Sequence, residues 1–101
     1  MVGYRIIQAT ERFQKWYDSV TDPVAKRAID KRLTRVAAGL FGDVKRIGKV
    51  SELRIDVGQG YRVYFATRGM QLIILLAGGD KRTQKADLKL AAKMVEELER
   101  K

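Results

Sequence analysis

The sequence predicts an α+β domain, and three observations carry that prediction. Between Thr10 and Leu40 apolar side chains recur twice at helical spacing. From Ser51 to Thr67 two segments alternate apolar and polar residues. Then a continuous apolar run, Gln71 to Ala77, precedes a last amphipathic segment.

Taken in order, Tyr4 to Gln8 (YRIIQ) reads as a short strand. Thr10 is a plausible N-cap for a first helix in which Phe13, Trp16, Tyr17 and Val20 form one apolar face. Asp22 then Pro23 reads as N-cap and first helical position of a second helix, with Ile29, Leu33, Val36 and Leu40 down one side and Gly39 and Gly42 bracketing its end. The faces of this helical hairpin need a sheet to cover them. In Ser51 to Val57, Leu53, Ile55 and Val57 point one way while Glu52, Arg54 and Asp56 point the other. Gly58, Gln59 and Gly60 make a hairpin turn into Tyr61 to Thr67, where Val63 and Phe65 oppose Arg62 and Tyr64. After a second turn at Arg68 to Met70, Gln71 to Ala77 suits a central strand covered on both sides. Thr83 reads as the N-cap of a final helix whose buried stripe is Leu88, Ala91, Val95 and Leu98. The expectation is an N-terminal strand and two-helix hairpin packed on a small antiparallel sheet, then a C-terminal helix. Residues 1–101 would form a single domain with one modest core.

Composition narrows the chemistry. The 101 residues are 46% apolar and 33% charged, a globular balance. Lys and Arg number 21 against 12 Asp and Glu, and a formal charge of +9 favours a polyanionic or acidic partner. The absence of cysteine removes disulfides and thiolate metal sites. The absence of histidine excludes a His-based triad and a typical zinc hydrolase site, leaving Lys, Tyr, Asp or Glu for any proton transfer near neutrality. The N-terminus lacks a signal peptide's apolar stretch and no run is long enough to span a membrane, so a cytoplasmic location is expected.

Most of the excess charge falls in residues 44–89, which carry 10 basic and 4 acidic residues, a net +6. Strand geometry puts Arg54, Arg62 and Tyr64 on the sheet face opposite the apolar residues, a surface able to hold phosphates and stack a base. Lys45, Arg46 and Lys49 lie in the same basic stretch and join Arg54 and Tyr64 as RNA-binding candidates. Each alternating cation, and the stripe Lys26, Arg27, Lys31, Arg32 and Arg35 on the second helix, has an ordinary reading as a solvated face. Lys81 and Arg82 are more unusual. A helix N-terminus disfavours cations by about 0.3–1 kcal/mol each, an effect reversed when an anion docks there. Gly78 and Gly79 would hinge the loop that presents them, and Lys85 adds a third cation.

At SELRIDVGQGYRVYF and LLAGGDKRTQKADLKLA the chain resembles the addiction-module killer proteins, a HigB-like branch of the RelE/ParE toxin superfamily. The resemblance spans nearly the whole chain and implies a RelE-like fold. It also implies the toxin of a type II toxin–antitoxin system: a metal-independent, cofactor-free endoribonuclease that cuts mRNA on the ribosome and inhibits translation. The partners implied are the ribosome, mRNA and a cognate antitoxin of the helix-turn-helix DNA-binding type. By position, Arg62 corresponds to the arginine of the family's GYR strand, and Lys81 and Arg82 to its basic pair after the last strand. Arg54 lies near the strand position of catalytic lysines. The sequence also departs from the pattern, with Leu88 near the place of RelE's helix tyrosine and none of the histidines HigB proteins often use.

The catalytic candidates are therefore Arg62, Lys81 and Arg82 as charge stabilisers and Lys85 as an acid or base, with Tyr64 stacking or assisting proton transfer. Two other readings remain open at this stage. One is a ParE-like inhibitor of DNA gyrase on the same fold, and the other is a non-enzymatic basic RNA-binding module.

Overall fold

The computed structural model describes residues 5–100. Strand β1 (Ile6–Ala9) leads into helices α1 (Glu11–Ser19) and α2 (Pro23–Ala37). Strands β2 (Val44–Ile47), β3 (Val50–Ile55), β4 (Tyr61–Arg68) and β5 (Leu72–Gly79) follow, then a single 3-10 turn (Lys81–Thr83) and helix α3 (Gln84–Glu99). The five strands form one sheet in the order β1-β5-β4-β3-β2. All pairs are antiparallel except β1 with β5, which is parallel; the two helices carry the chain from β1 at one edge to β2 at the other. No helix among the described residues is long and apolar enough to cross a membrane.

The helix boundaries follow local chemistry. Thr10 caps α1 by accepting from the amide of Phe13, and its hydroxyl reaches the carbonyl of Leu75, tying the helix start to β5. The Asp22 carboxylate accepts from the amide of Val24, with Pro23 following. α2 ends in a Schellman motif: Gly39, at φ +85°, donates to Val36 and Leu40 donates to Arg35. This stop leaves Leu40 beyond the helix and exposed, outside the apolar stripe expected of it. Of the N-terminal strand expected from Tyr4, Tyr4 itself lies outside the described residues.

β2 is absent from the sequence-based reading. Its apolar residues, Val44 and Ile47, are three apart, so no alternation announces a strand. It forms because Gly48, at φ +62°, allows a two-residue loop that folds Val44–Ile47 back on Val50–Leu53.

The largest correction concerns the core, since the sheet has two covered faces. On one, Phe13, Ile29 and Val36 of the helical hairpin meet Leu53, Val63, Phe65 and Ile73. On the other, α3 lays Ala91 and Val95 over Val50, Tyr64, Ala66, Ile74 and Leu76. Each fully buried aliphatic or aromatic side chain contributes about 1.5–3 kcal/mol, so both layers matter to stability. Covering both faces also explains why β5 is apolar throughout.

Candidate functional site

A β-bulge sets up the site. Arg62 aligns with Gly79, Val63 with Gly78 and Tyr64 with Ala77, but Phe65 aligns with Leu75, leaving Leu76 as the extra residue. Beyond it Gly78 faces α1 and Gly79 faces α3. A Cβ on Gly78 would lie 2.1 Å from the Trp16 ring, and one on Gly79 would lie 1.9 Å from Asp87 Oδ2. These glycines are therefore strand residues that admit close packing from both layers, and the expected hinge is corrected.

Thr83 holds the N-cap position of α3 as expected but makes no side-chain cap bond to it; the capping chemistry lies one turn earlier, where Asp80 caps the 3-10 turn. The Asp80 carboxylate accepts from the amide of Arg82, and Thr83 Oγ1 accepts from the amide of Asp80. The 3-10 turn separates the two cations. The Lys81 stem lies over the β3–β4 turn, where a Cβ on Gly60 would come within 2.8 Å of Lys81 Cε. Arg82 turns back onto Asp80 at 3.1 Å, with its side chain 79% exposed. That pairing lowers the Asp80 pKa below the ordinary carboxylate value.

Arg54 and Arg62 sit directly opposite each other on β3 and β4, an arrangement that like charges disfavour. One carboxylate compensates both. Glu52, fully buried, accepts from Arg54 Nε at 3.1 Å and lies 3.6 Å from Arg62 Nε. Gln84, the first residue of α3, donates to the same carboxylate at 2.8 Å. Arg62 also donates to the carbonyl of Gly60, but its buried Nε has no hydrogen-bond partner among the described residues. On the far side, α2 braces the cleft wall: Arg32 donates to the carbonyls of Arg54, Phe41 and Asp43. This places Arg32 as a structural clamp and removes it from the solvated stripe.

The result is a cleft of about 170 Å³ in which Arg54, Arg62 and Lys81 converge beside Gly60 and Tyr61, with exposed Asp43 and Asp56 also lining it. A larger groove of about 640 Å³ runs between α1 and α3, but its walls mix Glu11 and Asp87 with Arg12 and Lys15 and offer no field of one sign. The smaller cleft also mixes signs, since Asp43, Asp56 and buried Glu52 equal its three cations in number, but there two guanidiniums and an ammonium converge as donors for an incoming anion.

Of the sequence candidates, Arg54, Arg62 and Lys81 are thus brought together. Arg82 and Lys85 are exposed and do not line the cleft. Lys45 and Arg46 are exposed on β2, and Lys49 in the β2–β3 loop binds Glu99 at 2.7 Å. Tyr64 does share a face with Arg62, but α3 covers it completely, so its ring has no surface open to a base. Its hydroxyl is unpartnered among the described residues, and burial, then the Glu52 charge, push its pKa well above the ordinary phenol value. The nearby Asp87 carboxyl is also raised, mainly by partial burial, although the Thr83 hydroxyl donates to it at 2.5 Å. Sequence reasoning missed Glu52 because alternation put it on a face expected to be open. The available signal was a lone acid sharing its strand face with Arg54 and, across the hairpin, with Arg62.

Fold and site together define a small α+β domain with a cleft where three basic side chains converge at the end of an antiparallel hairpin. The chain belongs to a family of phage-derived proteins, described as Phage derived protein Gp49-like (DUF891), which matches residues 11–99. It is also similar to an uncharacterized protein of Haemophilus influenzae, 44% identical over 93 residues that cover 91% of this chain and 94% of the relative.

Proposed function

We propose that the chain is the toxin of a toxin–antitoxin module and acts as an endoribonuclease on mRNA engaged by the ribosome, held inactive by a cognate helix-turn-helix antitoxin. The observation that carries this reading is the convergence of Arg54, Arg62 and Lys81 in one cleft, with an unsatisfied guanidinium donor at its back. Membership of the Gp49-like family and the likeness to RelE and HigB toxins in the GYRVY and GGDKRTQ segments support it.

In RNA cleavage the 2′-hydroxyl attacks the adjacent phosphate as its proton passes to water. The bond from phosphorus to the 5′ oxygen breaks and that oxygen takes a proton from water, while negative charge grows on the phosphoryl oxygens and the leaving oxygen. Donors fixed in advance at that position supply the electrostatic stabilisation that often contributes most. Arg62, held by Glu52 and Gly60, has a fixed orientation; Lys81 approaches from the opposite wall; Arg54 grips the neighbouring backbone.

The test is induction in cells with labelled amino acid and thymidine incorporation followed in parallel, and mRNA ends mapped. Amino acid incorporation falls first and new mRNA ends appear, while Arg62→Ala combined with Lys81→Ala abolishes both. If the double variant still cuts mRNA, or if thymidine incorporation falls first, the reading fails.

A further inference from the structure

We propose that the groove between the β2–β3 hairpin and the C-terminal half of α3 docks an acidic amphipathic segment of a partner protein. It lies at the other end of α3 from the Arg62 cleft: Gln84 meets Glu52 at one end, and Glu99 meets Lys49 at the other. The proposal stands independently of any RNA chemistry there.

The groove encloses about 640 Å³. Its floor is apolar, formed by Ile47 and Val50 of the hairpin and by Ala92 and Val95 of α3. Ile47 is 37% exposed, an apolar side chain standing open beside the helix. The rim is cationic. Lys89 and Lys93 sit one helical turn apart, where like charges repel, and neither has an ion-pair partner among the described residues. Glu99 is already neutralised by Lys49, so of the lining acids Glu96 alone stands against this pair. The positive field continues onto exposed Lys45, which shares a face of the edge strand with Ile47.

An apolar floor with a lysine rim selects its occupant. A helix carrying apolar residues on one face fills the floor, and carboxylates flanking that face meet Lys89 and Lys93. RNA phosphates meet the same lysines but gain nothing from Ile47, Val50 and Val95, so the apolar floor favours protein.

The experiment uses the full chain and fluorescence anisotropy with three labelled probes. These are a short helical peptide with leucines on one face and glutamates flanking it, a scrambled peptide of the same composition, and single-stranded oligouridylate. Circular dichroism confirms that the surface variants fold. The amphipathic peptide binds, its scrambled counterpart binds about tenfold more weakly or worse, and Lys89→Glu with Lys93→Glu, or Ile47→Ser alone, each weaken peptide binding by at least about tenfold. Ile47→Ser leaves oligouridylate binding unchanged. The proposal is overturned if the peptide does not bind, binds no better than the scrambled control, is indifferent to the variants, or if Ile47→Ser weakens the RNA instead.

Discussion

Beneath α1 and α2 the sheet buries only apolar side chains among the described residues, from Leu53 and Val63 to Phe65 and Ile73. Beneath α3 it buries an apolar layer at one end and, toward the other, Glu52, most of Arg62 and the hydroxyl of Tyr64. Burying a charge costs several kcal/mol unless it is paired and hydrogen-bonded. The α3 face therefore gives up stability that the hairpin face supplies, and in exchange it fixes two guanidiniums at a cleft mouth. One layer holds the domain together and the other holds charge in place.

That division predicts a graded set of responses. The largest is Phe65→Ala, which removes a stacked partner of Phe41 from the hairpin core and costs about 3–5 kcal/mol by chemical denaturation. If the domain still folds, its affinity for oligouridylate stays unchanged. Next is Glu52→Ala, which leaves Arg62 largely buried with no counter-charge. Because Arg54 is 36% exposed and solvent screens it, the loss falls at the lower end of the buried-pair range, about 3 kcal/mol. Unlike Phe65→Ala, this variant also changes oligouridylate affinity, and an unaltered affinity would break the division between the two faces.

A third response separates the neighbouring cations. The slope of log affinity against log salt for oligouridylate becomes shallower by about 0.7 in Lys81→Ala, the loss of one phosphate contact. In Arg82→Ala the slope stays the same, because Arg82 turns away to Asp80. Equal slopes for the two variants would remove Lys81 from the site.

The smallest response concerns Tyr64. Its phenol pKa is raised above 10.0 in the folded chain, so as pH climbs the unfolded chain loses this proton first. The group's contribution to stability is complete below about pH 10 and declines above it. Tyr64→Phe abolishes that decline and, by removing an unpartnered buried hydroxyl, leaves the domain unchanged or about 1 kcal/mol more stable at neutral pH. Thermal melts of the two chains at pH 7 and at strongly alkaline pH read both effects.

Local chemistry by itself determined much of this protein. Asp22–Pro23, Thr10 and Gly39 set the starts and stop of the first two helices through hydrogen bonds spanning only a few residues. Alternation assigned Val63 and Phe65 to one face and Arg62 and Tyr64 to the other, because successive side chains of a strand must oppose. The basic character of the Arg54, Arg62 and Lys81 segments was likewise legible before any contact was known. Tertiary structure alone decided what those faces meet. α3 folds back and closes over Tyr64, making a stacking surface into a core. The bulge at Leu76 aligns Gly79 with Arg62, and Asp80 caps a 3-10 turn ahead of α3 that sends Lys81 inward and Arg82 out. Arg54 is Glu52's neighbour on β3, but Glu52 becomes a buried counter-ion only when Arg62 of β4 and Gln84 of α3 arrive from separate elements. The reason is physical: dihedral preference and capping act over a few residues, whereas burial and charge pairing depend on segments far apart in the chain.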